Sequence, residues 1–242
     1  MIADKVRDQV KNLETSKLLV YTDFSYPEND KQAIAKELSN LFKKGILRRV
    51  SKGMYYKPSF SRLGEVPLSD NEIIHKCLEI SKKNIAYLSG TNVYRSMGFT
   101  TQLSKEYVIM NDTKQGFNEI QNIYISFVKS PVLEKINETD IKILQIIDAI
   151  SDIKNIPACT PSNACTILVS LLKNLTVQEK ERLSILVQYY KPMVRSIVGA
   201  IFQINGEENL SLIMKKNINS LTFFHIGISE QVLPNKSQWH II

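Results

Sequence analysis

The sequence predicts an α+β protein with three successive parts: a basic helix-and-hairpin module, a mixed middle unit and a helical C-terminal unit. Three observations carry this. Residues 29–58, NDKQAIAKELSNLFKKGILRRVSKGMYYKP, read as an amphipathic helix, a glycine stop and a tight hairpin. Positive charge is concentrated in the first quarter: residues 1–62 hold 13 Lys+Arg against 7 Asp+Glu, and the remainder holds 18 against 17. Helical periodicity with polar caps dominates from residue 138 to about 203.

The first module is expected over 1–62. Ile2, Val6, Val10 and Leu13 are spaced as one face of a helix. Leu18 to Tyr21 is a short apolar strand-like run, and Thr22-Asp23-Phe24 offers a cap for a brief second helix. Asn29 or Asp30 caps a third, whose stripe is Ile34, Leu38, Leu41 and Phe42. Lys43 and Lys44 suit the negative end of its dipole, and Gly45 supplies the left-handed residue that stops it. Ile46 to Val50 and Met54 to Lys57 then form two strands around Ser51-Lys52-Gly53, closed by Pro58, which has no N–H for a ladder. Helix, strand, short helix, helix and two-stranded wing is the order of a winged helix-turn-helix.

Residues 58–71, with two prolines, a glycine and three serines, read as a linker. The middle unit, 63–131, opens with a helix over 70–82 capped by Ser69 or Asp70. A turn at 90–92, a short helix ending at Gly98 and strands at 106–110 and 120–127 follow. The last unit, 132–242, holds a helix from Glu138 through Ile153 and one from Thr160 or Ser162 to Leu175. Thr176-Val177-Gln178-Glu179 matches a capping box, and another helix starts near Pro192. The tail from 207 is β-prone at Leu221 to Ile228.

Net charge is +7, with 43% hydrophobic and 23% charged residues, an ordinary globular composition. There is no apolar run long enough to span a membrane and no signal-peptide pattern, and three irregularly spaced cysteines suit a reducing cytoplasm. A cytoplasmic protein with no membrane partner is expected. No catalytic, cofactor-binding or metal-binding residue is proposed. His75-x-Cys77 and Cys159-x5-Cys165 do not match zinc spacing, and the glycines are isolated rather than grouped into a phosphate loop. Ser89-Gly90 resembles the turn of a nucleotidyltransferase, but the paired carboxylates that hold magnesium do not follow it. The expected protein is therefore not an enzyme.

Double-stranded DNA is the partner that the basic module fits. Opposite the apolar stripe lie Lys31, Gln32, Ala35, Lys36, Ser39 and Lys43. Lysines meet phosphates, Gln32 can read an adenine edge, Ser39 can pair with either base type, and Ala35 permits close approach. Arg48, Arg49 and Lys52 sit on the wing. Strand alternation sends the two arginines to opposite faces, so one reaches DNA while the other pairs with an acid such as Glu37 or lies on the surface.

These residues resemble the AbiE-type (AbiEi-like) antitoxins of type IV toxin–antitoxin and abortive-infection systems. The resemblance runs over roughly residues 15–200, through YTDF (21–24), LFKKGILRRVSKGMYYKP (41–58), RLGEVPLSDNEI (62–73), LSGTNVYRSMGFTTQLS (88–104) and YVIMND (107–112). It implies an N-terminal domain that represses the protein's own promoter, and winged-helix repressors that bind as two copies use inverted repeats. It also implies a C-terminal part opposing a nucleotidyltransferase-like toxin, without a stable complex being required. The alternative is a transcriptional regulator or a protein- or RNA-interaction module without antitoxin activity. After about residue 205 the tail has no counterpart in the family.

Overall fold

The chain is mixed α and β, as the sequence predicts. The computed structural model describes residues 2–24, 30–82, 85–112, 115–132, 134–216 and 218–242. Asn29, one of the two expected caps, lies outside the described residues. Two compact units result, residues 1–80 with 117–125, and residues 81–116 with 126–242.

The first unit begins with α1 (Ile2–Lys11), which buries Val6 and Val10, followed by β1 (Leu18–Val20). A single 3-10 turn at Tyr21–Asp23 stands where a short helix is expected. Next comes α2 (Lys31–Lys43), burying Ile34, Leu38 and Leu41. Asp30 precedes it without capping through its side chain. Phe42, assigned to the inward stripe by its spacing, is 38% exposed and meets the Tyr55 ring at 6.3 Å. An inward place one turn before Leu41 goes to Glu37 instead. Gly45 ends α2 at φ +74: its N–H reaches the Phe42 carbonyl at 2.9 Å, and the Ile46 N–H reaches that of Leu41 at 3.0 Å. That pair of bonds is a Schellman motif. The hairpin β2 (Arg48–Ser51) and β3 (Met54–Tyr56) joins β1 in a sheet of order β1-β3-β2, with Leu18 opposite Tyr56 and a bulge between Arg49 and Ser51.

The expected linker is folded. Strands β4 (Ser59–Ser61) and β5 (Gly64–Val66) form a second hairpin, and α3 (Asp70–Ser81) follows. Ser69 caps α3, accepting the Glu72 N–H at 3.3 Å. The helix expected to open a middle unit lies, through Ile80, in the first compact unit.

In the second unit, β6 (Ala86–Ser89) pairs antiparallel with β7 (Glu106–Asn111), Ala86 opposite Asn111, with α4 (Thr91–Ser96) between them. Where the sequence predicts one strand at 120–127 there are two, β8 (Gly116–Ile120) and β9 (Ile123–Lys129), because Gln121 turns the chain at φ +53, and residues 117–125 of this pair belong to the first unit. The sheet order is β6-β7-β9-β8. Helices α5 (Asp140–Ser151), α6 (Pro161–Lys173), α7 (Val177–Leu186) and α8 (Pro192–Ile204) fall where the stripe of α5 and the caps and proline of the others place them, and α9 (Glu208–Lys215) is added in the tail. Thr160 caps α6 by accepting the Asn163 N–H, and Thr176 with Glu179 forms the expected capping box. One apolar core runs from Ile85, Tyr87 and Phe99 through α5 to α8, which joins stretches expected in separate units (63–131 and 132–242).

The β-prone tail makes no extended strand. Residues 224–242 form an irregular strap with a single parallel bridge, Phe224 to Ile241, and bury Ile226, Ile228, Leu233, Trp239 and Ile241. The Trp239 ring packs closely against the one glycine of α8. A methyl on residue 199 would sit 2.1 Å from the Trp239 ring carbon Cζ3 and 2.9 Å from the Cβ of Met214. The indole N–H donates to Gln203 at 2.8 Å and the Trp239 carbonyl accepts from Ser196 at 2.9 Å. Gly199→Ala is therefore expected to lower stability by about 1–3 kcal/mol through overpacking, despite alanine's better helix propensity. Urea denaturation of the full chain measures it, and a stabilised variant would refute this packing account.

Candidate nucleic-acid interface

The orientation of α2 decides which of its side chains face solvent. Glu37 is buried on its inner side, where Oε1 accepts from Arg7 Nε of α1 at 2.6 Å and Oε2 accepts from Asn40 at 3.2 Å. The Arg7 hydrogen bond holds its carboxyl below the usual carboxylate range, outweighing burial. With Glu37, Ile34, Leu38 and Leu41 inward, Lys31, Gln32, Ala35, Lys36 and Lys43 are exposed and Ser39 is half-buried. The helix thus gathers on one outward side the residues expected to meet DNA, with Ser39 the most recessed.

The wing residues divide. Arg49 and Lys52 are exposed, and Arg49 Nε donates to the Ser51 carbonyl at 3.2 Å. Arg48 is engaged within the unit, but not with the acid that the sequence suggests. Its Nε and Nη2 donate to Glu65 of β5 at 3.0 and 2.9 Å, and its Nη1 donates to the Gly45 carbonyl at 3.0 Å. Glu37 is taken by Arg7 instead. Alternation correctly separates the two arginines, and Arg49 is the one left facing outward.

A second ion pair fastens α3. Lys76, 7% exposed, donates to Asp23 at 2.6 Å and to Glu79 at 3.0 Å. Burial alone would depress its pKa, yet the two carboxylates together raise it. Asp23 also accepts the Val20 N–H at 2.8 Å, so the turn after β1 is held to α3. These contacts border a cleft of about 490 Å³ between α1, β1 and α3.

Sequence reasoning missed a polar cluster in the second unit. A cleft of about 470 Å³ is floored by the α5 carboxylate Asp148, whose two oxygens accept from Ser89 at 2.8 Å and Tyr190 at 2.7 Å. One turn on, Asp152 accepts from Tyr94 at 2.6 Å. Burial pushes the Asp148 carboxyl up to about 6 against the pull of its hydroxyl donors, and it drives the Tyr94 and Tyr190 hydroxyls well above their ordinary range. Partners 59 and 42 residues away leave no local pattern by which to find this cluster. Among the described residues no group of three His, Cys, Asp or Glu could hold a metal ion, and no helix is long and apolar enough to cross a membrane.

The chain belongs to DUF6088, a family of unknown function that matches residues 5–157. No curated protein matches it. Among solved structures it is similar to the RV2827C protein from Mycobacterium tuberculosis, with 13% identity over 90% of this chain and 82% of that one and a TM-score of 0.44.

Asp148 gives a prediction of definite sign. Its folded pKa lies above its unfolded value of about 3.8, so between about pH 4 and 6 the folded state binds the extra proton. Its contribution to stability is therefore present at low pH, is lost as pH rises through that window, and levels off above it. Asp148→Asn should remove this dependence. Plotted against pH, the melting temperature of wild type minus that of the variant should fall from pH 4 to 6.5, and a flat difference would remove Asp148 as its source.

Proposed function

We propose that the protein is a DNA-binding antitoxin that represses its own operon and opposes a nucleotidyltransferase-like toxin, without itself being an enzyme. In this reading the first unit is a winged helix-turn-helix, α2 enters the major groove and the β2–β3 turn flanks it. The observation that carries it is the sorting of charge: Glu37 is turned inward on α2 while Lys36, Lys43, Arg49 and Lys52 face out. A patch of this kind with a short polar reader, Gln32, at the helix start suits a phosphate backbone and base edges. The antitoxin half rests on the resemblance of YTDF, the 41–58 stretch and the 88–104 stretch to AbiE-type antitoxins.

Two measurements test the two halves. On duplex DNA from the region upstream of its own start codon, Lys36→Glu with Lys52→Glu should weaken binding and flatten the slope of log K against log[salt] by about two. An unchanged slope would take this surface out of the interface. Separately, a nucleotidyltransferase-like gene beside this one should be toxic alone and tolerated when the chain is co-expressed. Toxicity that co-expression leaves unchanged removes the antitoxin role even where DNA binding holds.

A further inference from the structure

The segment that composition marks as a linker is held in place with unusual care. Ser59, Phe60 and Ser61 pair with Val66, Glu65 and Gly64, and the tip is tied by Leu63 N–H to Ser61 Oγ and Ser61 Oγ to the Gly64 carbonyl, both at 3.2 Å. A two-stranded hairpin is marginal by itself in water, so its position depends on anchors. Glu65 supplies one: besides both Arg48 nitrogens it accepts from the Tyr56 hydroxyl at 3.1 Å. Ser59 Oγ meets Ser16 Oγ at 2.9 Å at the base. Because Arg48 also holds the Gly45 carbonyl, one guanidinium links the end of α2 to β5.

What those anchors present is an apolar point. Leu63 is 100% exposed and Phe60 67% exposed. Arg62 stands beside Leu63 at the tip with no ion pair among the described residues, whereas the one acid of the hairpin, Glu65, is neutralised by Arg48. We propose that the β4–β5 hairpin is a DNA-contacting arm, with Leu63 wedging between base steps of the minor groove and Arg62 lying along it. This deepens, and rests on, the reading of the first unit as a DNA-binding module. The minor groove is only about 6 Å wide, too narrow for a helix yet open to a two-residue turn. Its negative potential attracts arginine, and proteins that enter it insert leucine or phenylalanine between partly unstacked bases. A narrow cationic point at the end of the basic stretch 1–62, with its 13 Lys+Arg against 7 Asp+Glu, complements that groove.

The test uses the full chain and the upstream duplex, with hydroxyl-radical cleavage reporting the minor groove and dimethyl sulfate reporting guanine N7 in the major groove. Arg62→Ala with Leu63→Ala should leave the melting curve unchanged and erase a hydroxyl-radical protection flanking the major-groove contacts. It should also weaken binding roughly ten- to hundredfold, the range of one specific groove contact. Leu63→Met should keep both protection and affinity. If the double variant binds and protects like wild type while Lys36→Glu still weakens binding, the arm is overturned and the α2 reading stands. Should the variant change the mass seen by light scattering but not the footprint, the tip is a protein contact and the proposal fails. Wild type that binds no duplex would sink both readings.

Discussion

A buried carboxylate fixes the setting of the first unit. Glu37 sits among Ile34, Leu38 and Leu41 on the inner face of α2, and a bare ionised acid there would be strongly disfavoured. Arg7 from α1 makes it tolerable, with Asn40 taking the second oxygen. The pair therefore does more than add stability. Advancing α2 by one residue would turn it about 100°, carry Glu37 away from Arg7 and bring a lysine toward the core. Everything α2 offers outward follows from that single arrangement.

Each unit has its own apolar core, and the first adds polar anchors to it. In the first, polar anchors reach across sequence to place small elements: Arg48 to Glu65 for the second hairpin, Lys76 to Asp23 for α3. The half-exposed Arg48–Glu65 pair orients more than it stabilises, whereas the buried Lys76 ammonium would be left uncompensated without Asp23. In the second, a continuous apolar core does the work, and the chain closes by laying Trp239 on Gly199. The Asp148 cluster is the exception there. Each of its oxygens already accepts a hydroxyl, which joins β6, α5 and the segment before α8, and this favours a fastening over a presented acid.

What could be read from sequence was what local chemistry determines. Gly45 and the capping box Thr176–Glu179 are visible because each works within five residues of itself. Apolar stripes placed α1, α2 and α5 for the same reason, and caps and Pro192 marked the starts of α6, α7 and α8. Periodicity failed where a polar residue takes an inward place with a distant partner: Glu37 looks like an outward acid until Arg7, 30 residues earlier, is found beside it. Composition failed at 59–66, where serine, proline and glycine suggested a linker, although Glu65 pins a hairpin there. The strap at 224–242 misled in the other direction. Of the β-prone residues at 221–228, Ile226 and Ile228 are buried by packing while Leu221 and Phe223 stay exposed, with one bridge in place of a ladder.

The sorting of acids bears on the charge argument itself. Counting residues gives the first quarter its positive surplus, but a count treats every acid as equally visible to a partner. Within that quarter Glu37 is buried, Asp23 is turned toward Lys76 and Asp4 is paired with Arg7, and just beyond it Glu65 is turned toward Arg48. Acids spent inside the unit bind some cations too, namely Arg7, Arg48 and Lys76. None of these three belongs to the outward set of Lys36, Lys43, Arg49 and Lys52. The local field over α2 and the β2–β3 turn is thus set by unbalanced lysines and an arginine at short range, within about one Debye length of any strand laid across them. Distribution carries more of the electrostatic argument than the total.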